Sequence, residues 1–414
     1  MKRIFVFLLL ISSVVVINSC SDTKDCGCEP PDLRSITATE QNIIESSNDF
    51  SFDIFARINE ADPDKNLFIS PLSISTALSM TANGAVGETK TGIKSTLHQG
   101  DLTDEEINIS YKSLANYLTN LDPKVIMQLA NSNWYKDDYH IKETFKNILL
   151  EYYDAEVKSA DFSNPNTKDQ INNWIEDKTN GKISEMLDEI PADAVMYLIN
   201  AIYLKATWRY KFDENKTEKQ NFYLSDGSAV KTDMMFSEGA TVNVYYHADY
   251  TFVELPYGNG QFTFSIILPK DSRKLDQIIE ELDMDQLDGM IDLADTATYE
   301  VYLPKFKTEY KITLNEVLSA MGMEQSFGGA ADFSQLFEEN LDLFISKVLH
   351  QSFIEVDEEG TEAAAATVVQ VELTSIGGGK PKIIADHPFA YFIREKHSNT
   401  ILFAGKLLDP TKAN

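Results

Sequence analysis

The hydrophobic rhythm of the chain changes part-way along. In the first half, apolar residues recur at three- and four-residue intervals: "NDFSFDIFARI" places Phe50, Ile54 and Phe55 on one helical face. "SPLSISTALSMTANGA" opens with Ser70 as a helix N-cap and Pro71 at the first helical position, where a missing N–H does no harm. "TKDQINNWIEDKTNGKI" predicts another capped amphipathic helix that stops at Gly181. From the middle onward, aromatic and β-branched runs take over, as in "VMYLINAIYLKATW", "FYLSDGSAVKTDMMF" and "TYEVYLPKFKTEY". "LPYGNGQFTFSIILP" reads as a hairpin turning at Gly258 to Gly260. "LFISKVLHQSFIEVD" alternates over Phe344, Val348, Phe353, Ile354 and Val356 like a strand. Helices first and antiparallel strands later predict an α+β protein built on large sheets. No repeat and no long low-complexity linker interrupts the chain from Ile43 onward, which predicts one compact unit.

One stretch fits neither rhythm. "EEGTEAAAATVV", residues 358–369, sets two acids and a glycine before four alanines, between a strand-like run and "TVVQVELTSIGGGKPKII". Propensity alone favours an exposed helix, since alanine leads the helix scale and glutamate suits a first turn. The flanks favour a segment of small residues that enters a tight space as a strand.

Charge removes one class of function. Of 414 residues, 65 are acidic and 36 basic, a formal charge of −29, so nucleic acid, anionic membrane surfaces and heparin-like polyanions are repelled. The N-terminus carries an address. Lys2 and Arg3 precede an apolar run from Ile4 to Ile17 and then small or polar residues, the layout of a signal peptide over residues 1–19. The run is short for a spanning helix. Ile17, Asn18 and Ser19 before Cys20 resemble a bacterial lipobox, which implies lipidation of Cys20, with residues 20–42 as a polar tether. The expected location is the bacterial cell envelope, with membrane contact only through that lipid. All three cysteines, Cys20, Cys26 and Cys28, lie in this region, so the body needs no disulfide and offers no thiol nucleophile.

Catalytic patterns are missing from the sequence. The six histidines are scattered singly without ligand spacing, and there is no Gly-x-Ser-x-Gly elbow, phosphate-binding loop or dinucleotide fingerprint. Neither a metal nor a cofactor is expected, and the chain does not read as an enzyme.

Several ordered blocks resemble one family, the serpins. "NLFISPLSISTALSMTANGAVGETKTGI", "LINAIYLKATWRYKF", "VELPY", "YLPKF", "GMEQSFGGAADFSQL", "VLHQSFIEVDEEGTEAAAAT" and "DHPFAYFIREKHSNTILFAGKLLDP" match in sequence order, over roughly residues 43–411. The resemblance implies a single domain over residues 43–414: an α+β serpin fold of three β-sheets with eight or nine helices. It also implies an exposed reactive-centre loop at about residues 358–386. It implies function as well. A serine protease, or a cysteine protease, attacks the loop as substrate and is trapped as a covalent acyl-enzyme when the cut loop inserts into the main sheet. Serpin loop insertion is a standard example of strand addition and strain release.

The resemblance assigns residues to roles. The hinge is Glu358, Glu359, Gly360, Thr361, Glu362, Ala363, Ala364, Ala365 and Ala366. Alternation along a strand would turn Thr361, Ala363 and Ala365 to one side and Glu362 to the solvated side, while Gly360 gives the backbone freedom to turn. Ser70, Ser73, Asn200 and His350 match the polar cluster beneath the opening sheet (the shutter), and Trp208, Lys305 and Glu358 match the point where insertion begins (the breach). Fourteen residues after Gly360 lies the bond Thr374–Ser375, with cleavage after Leu373 as the alternative. Counting back from Pro388 instead lands nearer Gly377, because the loop is somewhat longer than usual and carries the extra glycines. Threonine at the cut suits elastase-like or subtilisin-like enzymes, and Leu373 a chymotrypsin-like or papain-like one. The expectation is an inhibitory, monomeric serpin; the alternative is a non-inhibitory serpin acting as a binding or carrier protein.

Overall fold

The computed structural model describes residues 31, 33–361 and 380–414. Cys20, the hinge residues Glu362 to Ala366, and Leu373, Thr374 and Ser375 lie outside the described residues. Among the described residues there are nine helices and fifteen strands. The helical half comprises α1 (Ala38–Ala61), β1 (Leu67–Ile69), α2 (Pro71–Ala82), α3 (Gly87–Thr96), α4 (Asp104–Asn120), β2 (Val125–Lys136), α5 (Glu143–Tyr153), β3 (Glu156–Ala160) and α6 (Asn166–Lys178). The strand-rich part begins with β4 (Met196–Thr207), β5 (Glu218–Tyr223), β6 (Ala229–Tyr246), β7 (Tyr250–Pro256) and β8 (Phe262–Pro269). It continues through α7 (Leu275–Glu281), α8 (Met284–Asp292), β9 (Asp295–Pro304), β10 (Phe306–Thr313) and α9 (Asn315–Leu318). The last strands are β11 (Leu349–Val356), β12 (Gly360–Thr361), β13 (Lys382–Ile384), β14 (Phe389–Glu395) and β15 (Ile401–Leu407).

Local signals account for most boundaries. Ser70 caps α2 by accepting a bond from the Ser73 amide, with Pro71 in the first turn. Phe50, Ile54 and Phe55 on α1 are fully buried. α1 starts earlier than Ile43, because Thr37 and Glu40 form a reciprocal capping box, so residues 38–42 are helix and not tether. Just ahead of it, Arg34 bonds Glu40 at 2.6 Å and sits over the Tyr117 ring. Thr167 is not the cap of α6; it lies inside the first turn with its hydroxyl on the Asp161 carbonyl at 2.6 Å. Gly181, at φ +77°, closes that helix's exit as expected. The strand read from Phe344 begins only at Leu349, and Phe344 is 51% exposed.

Two hydrogen-bonded sheets result. The six-stranded sheet runs β10-β11-β12-β4-β2-β3, and the nine-stranded one runs β1-β15-β14-β8-β7-β6-β9-β13, with β5 on β6. β6 is 18 residues long; its first part pairs with β5 and its last part with β7. Its register against β9 shifts between Ser237 and Ala240, which divides the larger sheet into two lobes. The three sheets expected are therefore the six-stranded sheet and these two lobes. The main core includes Phe306, Ile354 and Val356 of the six-stranded sheet together with residues of the nine-stranded one. A second cluster, including Trp134, Trp174, Ile175 and Ile199, packs α6 against the six-stranded sheet.

Candidate functional site

β12 is only two residues long, yet it occupies the middle of the six-stranded sheet. Gly360 pairs with Thr207 and Thr361 with Ala206 on β4, while Thr361 also faces Val356 on β11. Among the described residues no ladder joins β4 to β11 except through this short piece. Directly below Thr361 a cleft opens between the two strands, lined by Ile202 and Leu204 on one side and Phe353 on the other. Two residues of β12 therefore fill one end of a gap that the cleft continues.

The chain is held at that point by contacts from four directions. Trp208 is 1% exposed and stacks on Tyr257 at 4.4 Å between ring centres. Its indole N–H donates to the Asp357 carbonyl at 2.8 Å and its amide to the Glu359 carbonyl at 2.9 Å. The Tyr257 hydroxyl bonds the Thr361 hydroxyl, and both residues are buried. Asp357 accepts the amides of Glu359 and Gly360, turning the chain back toward β4. Lys305 reaches Glu358 at 2.8 Å, and the Thr217 hydroxyl donates to the same carboxylate at 2.8 Å. Burial pushes the Glu358 carboxyl up, but the bonds from Lys305 and Thr217 outweigh it and hold it below its usual value. Lys211 pairs with Glu359.

Glycine at 360 has a reason that the sequence reading did not give. A Cβ there would stand 1.9 Å from the Ala206 carbonyl oxygen, so close backbone approach excludes every other residue; the backbone does not adopt a left-handed conformation. Thr361, 3% exposed, faces inward as the alternation required.

The shutter residues come together around the N-terminus of α2. The Ser70 amide donates to His350 Nε2 on β11 at 3.1 Å, and the Ser70 hydroxyl donates to the Leu402 carbonyl at 2.8 Å. Ser73 bonds Asn200 on β4, and Asn200 donates to Asn131 on β2 at 2.6 Å. α2 therefore bridges the two strands that flank the gap, through Ser70 on one side and Ser73 on the other. His350 accepts a bond from an amide, which requires a neutral ring, and burial lowers its pKa to about 4.

Sequence reasoning missed Tyr257, Asn131, Thr217 and Lys211. Tyr257 ends the "VELPY" block and Lys211 lies in the "LINAIYLKATWRYKF" block, so both had a signal; Asn131 and Thr217 are reached only through tertiary contact. No group of three or more His, Cys, Asp or Glu side chains among the described residues is arranged to hold a metal.

The fold and the site define a protein whose six-stranded sheet is parted between β4 and β11, with only the two-residue β12 and a polar cluster across the gap. Residues 45–410 match the serpin (serine protease inhibitor) family, and the chain belongs to it. It is 32% identical to an uncharacterized serpin-like protein of Methanosarcina acetivorans, over 99% of each chain. It is 34% identical to the pig leukocyte elastase inhibitor, covering 89% of this chain and all of that one. Human thyroxine-binding globulin complexed with thyroxine superposes with a TM-score of 0.83 at 30% identity, over 91% of this chain and 100% of that one.

Proposed function

We propose that this serpin inhibits serine endopeptidases by covalent trapping. The observation that carries the reading is β12: two loop residues already paired between β4 and β11, above a cleft that continues in the same line. The protease serine attacks the carbonyl carbon of Thr374, an ester bond forms, the bond to Ser375 breaks, and the Ser375 amine leaves with the proton. Residues 362–374 would then lengthen β12 by about 43 Å of strand, at about 3.3 Å per residue. The protease travels with its ester. Deacylation needs its oxyanion donors and base placed to within a fraction of an ångström, so distortion at the end of that travel stops it.

The bait sequence supports elastase-like or subtilisin-like targets, with Leu373 giving access to a chymotrypsin-like or papain-like enzyme. The similarity to an elastase inhibitor supports the first. The test is to mix the mature protein with pancreatic elastase, run a denaturing gel and weigh the released C-terminal peptide. An adduct at the summed mass with a peptide starting at Ser375 is the expected result. Cleavage without an adduct by every protease class tried would leave the second reading, a carrier, which the likeness to thyroxine-binding globulin supports.

We also propose that the protein acts as a monomer held to the bacterial envelope by a lipid on Cys20. Cys20→Ser is expected to move it from the membrane to the soluble fraction; a variant that stays with the membrane would sink the anchor.

A further inference from the structure

β10 is the outer strand of the six-stranded sheet, and a second piece of chain lies on its free edge. The Glu309 N–H donates to the Ala413 carbonyl at 2.8 Å, and the Glu309 carbonyl accepts from the Asn414 side-chain amide at 3.1 Å. Backbone groups along an antiparallel strand alternate in direction, so those of Lys307 and Lys311 face outward with Glu309 while the residues between them bond to β11. Among the described residues, neither the Lys307 nor the Lys311 amide has a backbone partner. An edge of this kind is a template for another strand.

The cover is built on Asn66, which precedes β1 and is 3% exposed. Its side chain fills all four of its hydrogen-bonding places. Nδ2 donates to the Asp409 and Lys412 carbonyls at 2.9 and 2.8 Å, and Oδ1 accepts the Leu408 and Asp409 amides at 2.8 and 3.1 Å. The Asp409 carboxylate takes the Thr411 amide at 3.0 Å and the Thr411 hydroxyl at 2.6 Å, which turns the chain toward β10. Asn414 completes the contact by donating to the Asn66 carbonyl at 2.8 Å. Asp409 and Pro410 are buried, whereas residues 411–414 are exposed. The turn can therefore stay in place while residues 412–414 lift off.

We propose that residues 412–414 are an edge guard: seated, they keep the chain single; displaced, they free β10 to pair antiparallel with β10 of a second copy of this chain. Charge selects that partner and its register. The exposed side chains along β10 run Lys307, Glu309, Lys311 and Thr313. Under two-fold symmetry, placing Glu309 of each copy opposite Lys311 of the other makes two opposite-charge pairs and sets Lys307 against the neutral Thr313. A pairing centred on Glu309 sets Lys307 against Lys311 instead. Pairing Glu309 with Lys307 sets Lys311 against Lys305, whose amide is already on the Asp233 carbonyl at 2.8 Å. Within one copy, Glu309 takes a bond from Gln351 at 3.0 Å and Lys311 pairs with Asp188 at 2.9 Å, surface contacts that a pair between copies can share.

The guard rests on the monomer reading and deepens it, and its test needs no protease. The full-length protein and a variant lacking residues 412–414 are compared by sedimentation over a range of concentrations. The shortened chain is expected to associate at least about tenfold more tightly than the full-length one and to stop at the dimer. In the shortened chain, Glu309→Lys or Lys311→Glu should each weaken the dimer at least about tenfold, and an equimolar mixture of the two should restore it, because every lysine then faces a glutamate. A shortened chain that stays single, a dimer indifferent to both charge changes, or a mixture that fails to restore it overturns the proposal. A full-length chain that dimerises sinks the monomer reading, and the guard falls with it only if removing residues 412–414 adds nothing. Should the shortened chain fail to fold, hydrogen exchange on the full-length protein decides. The Glu309 amide, corrected for intrinsic rate, is expected to exchange at least about tenfold more slowly than those of Lys307 and Lys311, and equal rates overturn the guard.

Discussion

In the nine-stranded sheet, β14 and β15 each bury all seven of their residues; β14 lies between the full-length β8 and β15, and β15 between β14 and the three-residue β1. In the six-stranded sheet, β11 buries only alternate residues, and what separates it from β4 is the two-residue β12. The polar groups differ as well. The nine-stranded sheet keeps Glu254 and Arg394 together as a buried pair, while the other places Ser70, Ser73, Asn200 and His350 across its gap. One sheet is complete and held by apolar burial. The other is bridged across its gap by a few hydrogen bonds, each worth about 1 kcal/mol net, an amount that a strand entering as proposed would repay by forming ladders on both its edges.

The sharpest way to break that contrast is Thr361→Arg. It puts a large cation into a buried position beside the Tyr257 hydroxyl, where nothing neutralises it. The yield of covalent adduct is expected to fall at least about tenfold while cleavage continues, read as the adduct-to-cleaved ratio on a gel; full retention would count against strand insertion. Acid acts next. The native His350 ring takes its proton only near pH 4 and the unfolded one near about 6.5, so the unfolded chain binds more protons between them. Stability should fall as pH drops through that window, by up to about 3 kcal/mol, and His350→Gln should flatten the urea-midpoint profile there. The smallest effect is expected from Lys305→Ala. The lysine side chain is 44% exposed, and Thr217 stays on Glu358, so the change in unfolding free energy should be under about 1 kcal/mol.

Much of this was legible because it is local. Ser70 and Pro71 announced α2, and Gly258 and Gly260, at φ +40° and +93°, announced the β7–β8 turn. The inward parity of Thr361 followed from alternation alone. What was not legible is long-range. The buried face of β11 carries His350 and Ser352, polar residues whose partners, Ser70 and the Phe68 carbonyl, lie some 280 residues away. Pattern reading assigns such positions to solvent. It also extended that strand back through Phe344, where the chain has no ladder partner among the described residues, and it began the body at Ile43 because Arg34 and Glu40 look like tether residues until Tyr117 and Ser113 are seen beside them.

The order of strands in the larger sheet bears on how the protein is made. β15 and β14 stand between β1 and β8, so β1 has no partner in its sheet, and β8 has only β7, until the last segments are synthesised. At about 5–20 residues per second, the loop emerges from the ribosome ahead of those strands. During that interval residues 362–379 are already made, while β13, which pairs with β9, follows them out. Under the proposed trapping function, a nascent chain that paused there would have its loop free before the strands that complete the larger sheet exist.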